Sequence, residues 1–359
     1  MEEKATYQAL AVHLDSFPQG FPPTKSGKEL ELLAHLFTPE EARFALNLSL
    51  AYRSLKEITK VAGIPQSKSQ ELVKSMAGKG LVNLRLGPDG PELSLPPFIV
   101  GFYENQVFRM DATFAQLFED YYHEALHKLL LVQPQFHRVI PVHTQIDTDI
   151  EILPEEDVTF LVSQKKAWAV LDCVCRKQQA LLGQACGHPL RVCLAMSDTP
   201  GAFEGIDDMD DLDLESALEV LDLAAQSGLV HTVSNRKSDL SYICNCCTCS
   251  CGLLRGIADL HMANIVARSA YFAVVDGDLC LGCGECEALC QFKAIRIDEI
   301  AVIDRNACAG CGVCVRVCPQ SAIRLNKRPS EELKPIPEST DEWLAQRDQA
   351  RSVKVKTRK

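Results

Sequence analysis

Cysteine spacing constrains this chain more than any other feature. Cys280-x2-Cys283-x2-Cys286-x3-Cys290 is followed, 28 residues on, by Cys308-x2-Cys311-x2-Cys314-x3-Cys318-Pro319. The flanks repeat with the cysteines. Ala273-Val-Val-Asp276 matches Ala301-Val-Ile-Asp304, and Lys293-Ala-Ile-Arg-Ile297 matches Ser321-Ala-Ile-Arg-Leu325. A half-unit this small buries little core alone, so two halves must pair. The chain holds 17 cysteines in 359 residues, none before Cys173 and none after Cys318. An odd count in a long chain does not suit a secreted disulfide scaffold. Glu2, Glu3 and Lys4 leave no apolar leader at the N-terminus, and no apolar run approaches the ~20 residues that span a bilayer. The expectation is a cytoplasmic, reducing setting, where clustered thiols mean metal or redox chemistry.

The repeat resembles bacterial-type two-cluster ferredoxins over about residues 273–326. That resemblance implies two [4Fe–4S] clusters with crossed ligation. Cys280, Cys283, Cys286 and Cys318 would hold one, and Cys308, Cys311, Cys314 and Cys290 the other. One departure shows: Gln291 follows Cys290 where Pro319 follows Cys318. The proline shapes a turn and is not a ligand. Paired four-cysteine zinc sites are the alternative, since tetrahedral thiolate also suits zinc. The repeat and its crossed spacing argue against them.

Nine further cysteines lie upstream: Cys173, Cys175, Cys186, Cys193, Cys244, Cys246, Cys247, Cys249 and Cys251. All nine are candidate metal ligands. Five of them fall within eight positions, from Cys244 to Cys251. Adjacent Cys246 and Cys247 cannot easily face one ion, so the run suits two sites. Eight thiolates would serve two additional [4Fe–4S] clusters with one cysteine spare. One cluster, structural zinc or reactive thiols are the alternatives. Arg176 could donate to cluster sulfur. His188 precedes Pro189 in a loop, where hydrogen bonding is its ordinary role.

The N-terminal half reads differently. Residues 1–27, with Pro18, Gly20, Pro22 and Pro23, suggest an irregular arm. Helices are expected from Lys28, from Thr38-Pro39-Glu40-Glu41, from Ser54-Leu55-Lys56-Glu57 and over about 67–77. Two strand-like runs follow, joined by Gly87-Pro88-Asp89-Gly90. This order over 28–97 resembles a winged helix. A DNA-binding use needs a basic recognition helix. Residues 28–92 carry nine Lys/Arg against eight Asp/Glu. Near-neutral charge favours a protein-contact or dimerisation module.

Residues 98–138 read as a helical connector, with Asp111 capping a helix to about Leu131. His123, His127, His137 and His143 lack a metal-ligand spacing. A cysteine-rich metal-binding domain, 139–272, contains strand-like runs at Ala167–Val174 and Leu190–Met196. Glu204 to Glu215 holds seven acidic and no basic residues, and reads mostly as a solvated loop before a helix from Leu214. The ferredoxin segment, 273–326, precedes a charged tail, 327–359, expected to be solvated apart from a short helix at Trp343 and Leu344. The fold class is α+β, multidomain.

Net charge is −11, so the chain is no general polyanion binder. No phosphate loop, dinucleotide fingerprint or nucleophile elbow appears. The winged-helix-like start, the Cys-x-Cys-Arg segment, the Ile243-Cys-Asn-Cys-Cys run and the terminal repeat together resemble a group of iron–sulfur proteins of anaerobic bacteria. That resemblance implies iron–sulfur binding and electron transfer with a redox protein partner, and names no reaction. The expected function is an electron carrier or redox subunit rather than a stand-alone enzyme. The alternative is a redox-sensing transcriptional regulator that uses the winged helix on nucleic acid.

Overall fold

The computed structural model describes residues 2–142, 154–260, 262 and 264–356. His143 lies outside them. The chain divides into two units. The first comprises Met1–Leu129, Gln178–Gln184 and Arg347–Lys359; the second comprises Leu130–Lys177 and Ala185–Gln346.

The first unit is mainly helical. Glu2–Asp15 is a helix that buries Thr6, Leu10, Ala11 and Leu14. The expected arm is therefore irregular only in its second half, around the prolines. The buried positions recur at helical spacing but are few. Helices Lys28–Leu36, Pro39–Ala45, Leu55–Ala62 and Gln66–Gly78 follow. Thr38 and Glu41 form the reciprocal cap. Ser54 accepts from the Glu57 N–H. A three-stranded antiparallel sheet joins Arg53–Ser54, Gly90–Ser94 and Asn83–Gly87 in that order. Helix Ala112–Glu124, capped by Asp111, ends earlier than expected and gives way to a 3₁₀ segment, Leu126–Leu131. Aromatic residues fill the core here: Phe21, Phe98, Phe118 and Tyr121 lie ring against ring.

The tail is not a solvated end. Thr340–Lys356 is a helix of 17 residues. Arg347 is fully buried in the first unit and donates to the Leu129 carbonyl at 3.5 Å. In the second unit the Trp343 indole donates to the Gln135 carbonyl at 2.9 Å.

The second unit is built on a six-stranded sheet. Its strand order is His137–Val139, Val230–Ser234, Tyr242–Cys246, Arg191–Ser197, Ala167–Asp172, Asp210–Leu212, and every pairing is antiparallel. Helix Leu214–Gln226, capped by Asp213, packs on the sheet through Ala217 and Leu221. The acidic run thus supplies an edge strand and a cap as well as exposed turns. Two antiparallel strand pairs follow: Tyr271–Val275 with Ile323–Lys327, and the hairpin Ile295–Asp298 with Ile300–Ile303.

No helix among the described residues is long and apolar enough to cross a membrane.

Candidate metal centres

The repeat at the C-terminal end makes two matching half-sites. In each, a short helix of five residues starts after a glycine in the left-handed region. Gly284 (φ 84°) precedes Glu285–Leu289, and Gly312 (φ 76°) precedes Val313–Val317. The Asp276 and Asp304 N–H groups donate to the Ala322 and Ala294 carbonyls, both at 2.7 Å. Ala294 and Ala322 N–H groups then donate to the Cys290 and Cys318 sulfurs, both at 3.3 Å. The Ala301 N–H reaches the Cys280 sulfur at 3.4 Å.

A second pair of glycines is fixed by space. Gly282 and Gly310 have φ of +63° and +74°. A Cβ at Gly282 would run into the Glu299 carbonyl, and one at Gly310 into the Tyr271 carbonyl and the Ser269 hydroxyl. Glycine alone lets each cysteine loop lie this close to a neighbouring strand.

The loops enclose two cavities. One is lined by Cys280, Cys283, Cys286 and Cys318 with Ile297 and Ile323. The other is lined by Cys290, Cys308, Cys311 and Cys314 with Ile295 and Val313. Each therefore receives three cysteines from one repeat and one from the other. Burial pushes the Cys311 thiol up to about 12 and raises Cys314 and Cys290 too. Neutral thiols in such walls gain from a bound cation. Four sulfurs, apolar walls and N–H donors aimed at sulfur are a donor set that fits an iron–sulfur cluster.

Residues 273–325 match the family model of a 4Fe-4S dicluster domain. No curated protein and no solved structure matches the chain. The dicluster domain is thus one segment of a longer chain.

The nine upstream cysteines sort into two groups. The sheet delivers most of the first. Cys173 follows strand Ala167–Asp172, Cys193 lies on Arg191–Ser197, and Cys244 and Cys246 lie on one face of Tyr242–Cys246. Cys175 comes from helix Val174–Leu181, and Cys251 caps Gly252–Ala258. Their thiols are electrostatic neighbours in the order Cys173, Cys175, Cys251, Cys246, Cys244, Cys193. Hydrogen bonding from Cys244 and Cys251 lowers the Cys246 thiol to about 6. Cys244, Cys246 and Cys251 share one buried cluster with the dicluster cysteines Cys286, Cys308 and Cys314.

The second group is Cys186, Cys247 and Cys249. Their sulfurs all lie within 4.8 Å of one another. Cys246 and Cys247, though adjacent, face different groups because the strand ends at Cys246 and the chain turns at Thr248–Ser250. The Cys251 N–H closes that turn on the Cys247 carbonyl at 3.1 Å.

Arg176 lies between the groups. It is 4% exposed, and its Nη1 donates to the Asn245 carbonyl at 3.1 Å and meets the Cys247 sulfur at 3.7 Å. Burial would discharge it, but Cys173, Cys247 and Cys246 outweigh that and raise its pKa. His188 joins neither group; burial and Arg176 lower its pKa. His123 pairs with Glu119, His127 with the Tyr122 carbonyl, and His137 with Thr232 and Tyr242.

Gln291, the departure from the repeat, has a structural role that spacing alone did not suggest. Its side-chain oxygen accepts from both the Thr248 N–H and hydroxyl, each at 2.8 Å, and its amide donates to the Gly228 carbonyl at 3.1 Å. A proline could do neither. The signal available in the sequence was that the second repeat kept its proline and the first did not.

Proposed function

We propose that the chain is an electron-transfer protein whose dicluster domain carries two [4Fe–4S] clusters. Cys280, Cys283, Cys286 and Cys318 would hold one, and Cys308, Cys311, Cys314 and Cys290 the other. The observation that carries this reading is the crossed lining of the two cavities. Bound clusters supply one-electron carriers, and the protein sets their potential through hydrogen bonds to sulfur, burial and net charge. The backbone N–H donors to Cys280, Cys290 and Cys318 would raise it.

The two sites differ in access. Cys283 is exposed, and Leu281 and Leu279 beside it are 72% and 50% exposed. Cys308 and Cys314 are buried. We therefore assign the first site to exchange with a redox protein partner, docking on that apolar rim. The second site faces inward, and the six-thiol group, which shares Cys244, Cys246 and Cys251 with the same apolar cluster, is suited to a further cluster.

The rival reading, a winged-helix regulator, draws on the helix and hairpin order of the first unit. Some of its basic residues are committed elsewhere. Lys68 pairs with Glu40 and Glu71 at 3.0 and 3.2 Å, and Lys79 pairs with Glu41 at 2.7 Å. With the near-neutral charge of residues 28–92, that favours a protein-contact module.

Iron and sulfide analysis with EPR on the anaerobically purified chain tests the proposal. Fewer than about eight irons per chain, the content of two cubanes, would sink it.

A further inference from the structure

We propose that Cys186, Cys247 and Cys249 bind a single thiophilic metal ion, of which zinc is the type, in a mononuclear centre with its fourth position open to solvent.

Sulfur spacing is the first argument. Zinc–sulfur bonds of ~2.3 Å at the tetrahedral angle set sulfurs ~3.8 Å apart. The three sulfurs, all within 4.8 Å of one another, need only small side-chain rotations to reach that. A cubane holds its thiolates apart by its own width. The dicluster cysteines line cavities instead. Among the described residues no three of them gather as tightly as this triad.

Charge is the second. Three thiolates and a dication sum to −1, a costly charge to bury alone. Arg176 is the compensating cation. Its Nη1 meets the Cys247 sulfur, while its Nε and Nη2 have no hydrogen-bond partner among the described residues. A buried guanidinium with idle donors beside sulfur is costly unless anionic sulfur is there. The Ser250 hydroxyl lies 3.6 Å from the Cys186 sulfur and can donate to it.

Access is the third. Cys247 is buried and Cys249 exposed, so the triad reaches the surface on one side. His188 is outside the triad, leaving three protein ligands. Three ligands with a free position are the arrangement of reactive rather than purely structural zinc sites. Each thiol gives its proton to solvent as the ion binds. The vacant side would admit water or a small exogenous thiol.

This goes beyond electron transfer and does not depend on it. The test uses the full-length chain, prepared anaerobically, with zinc and iron measured on the same sample and Co²⁺ supplied in parallel as an optical probe. The expected result is about one zinc per chain besides iron, and tetrahedral cobalt–thiolate bands in the Co²⁺ sample. Cys249→Ser and Cys186→Ser should lose the divalent ion and keep the iron. Cys280→Ser should lose iron and keep the divalent ion. Neither zinc nor cobalt in the parent chain, retention of the ion by both triad variants, or loss of about four irons from Cys249→Ser would overturn the assignment. A chain with zinc but no iron would instead defeat the electron-transfer reading alone. Cys249 is exposed, so its substitution is a poor candidate for misfolding; a circular dichroism spectrum unchanged from the parent confirms that control.

Discussion

The dicluster domain and the Cys186–Cys247–Cys249 triad solve one problem in two ways. In the first, four sulfurs stand around a cavity with apolar walls and backbone N–H donors. In the second, three sulfurs draw together beside a buried arginine. The first arrangement neutralises charge with main-chain dipoles, the second with a formal cation. Sulfur spacing, rather than sulfur count, tells a multinuclear site from a mononuclear one.

The strongest blow to the cavity side is Gly310→Ala. Its Cβ must displace the Tyr271 backbone, and its φ is positive. We expect a loss above ~3 kcal/mol in denaturant unfolding and about half the iron. Gly284→Ala is the control: nothing lies within 4 Å of its Cβ, so only the ~1 kcal/mol of left-handed strain is expected, with iron unchanged.

A pH titration probes a buried carboxylate beside strand Tyr271–Val275. The Glu156 carboxylate accepts the Ala270 N–H at 2.8 and 2.9 Å in a buried setting. Burial raises its pKa from 4.5 to about 7, against the pull of that N–H and of Arg138. The folded state then holds a proton that the unfolded chain releases. Its contribution is full below pH 4.5 and declines as pH rises through 7, by about 3 kcal/mol in all. Glu156→Gln should flatten that part of the stability profile; an unchanged slope would show that another group causes it.

On the triad side, Arg176→Met removes the cation while keeping bulk. Divalent-ion affinity should fall ~10–100-fold, as for lost partners of metal ligands generally. An unchanged affinity in a Co²⁺ competition titration would place the charge balance elsewhere. The smallest effect belongs to the link between the regions. Gln291→Ala removes three hydrogen bonds, and we expect ~1–2 kcal/mol of stability with iron and zinc contents intact.

Much of this was legible beforehand, unevenly. The crossed cysteine repeat declares itself because ligand spacing is set by the cluster's own geometry. The caps at Thr38, Asp111 and Asp213 are local and were readable at Thr38 and Asp111. The helix Glu2–Asp15 was not, because its apolar positions are few, and the tail helix was expected at Trp343 and Leu344 but not at its full length. The separation of Cys246 from Cys247 was anticipated as two sites, but their membership was not. Cys186 and Cys251 reach their groups through sheet pairing and a closed turn, which linear spacing does not encode.

Gln291 has one more consequence. A duplicated segment of two equal halves could seat itself on a neighbour either way round. Here the amide at Gln291 grips Thr248 and Gly228, while its counterpart in the other half is Pro319, which has no side-chain amide to offer. The two halves are therefore not interchangeable at this position: only the end of the first half, beside Cys290, is tied to the cysteine-rich part of the unit.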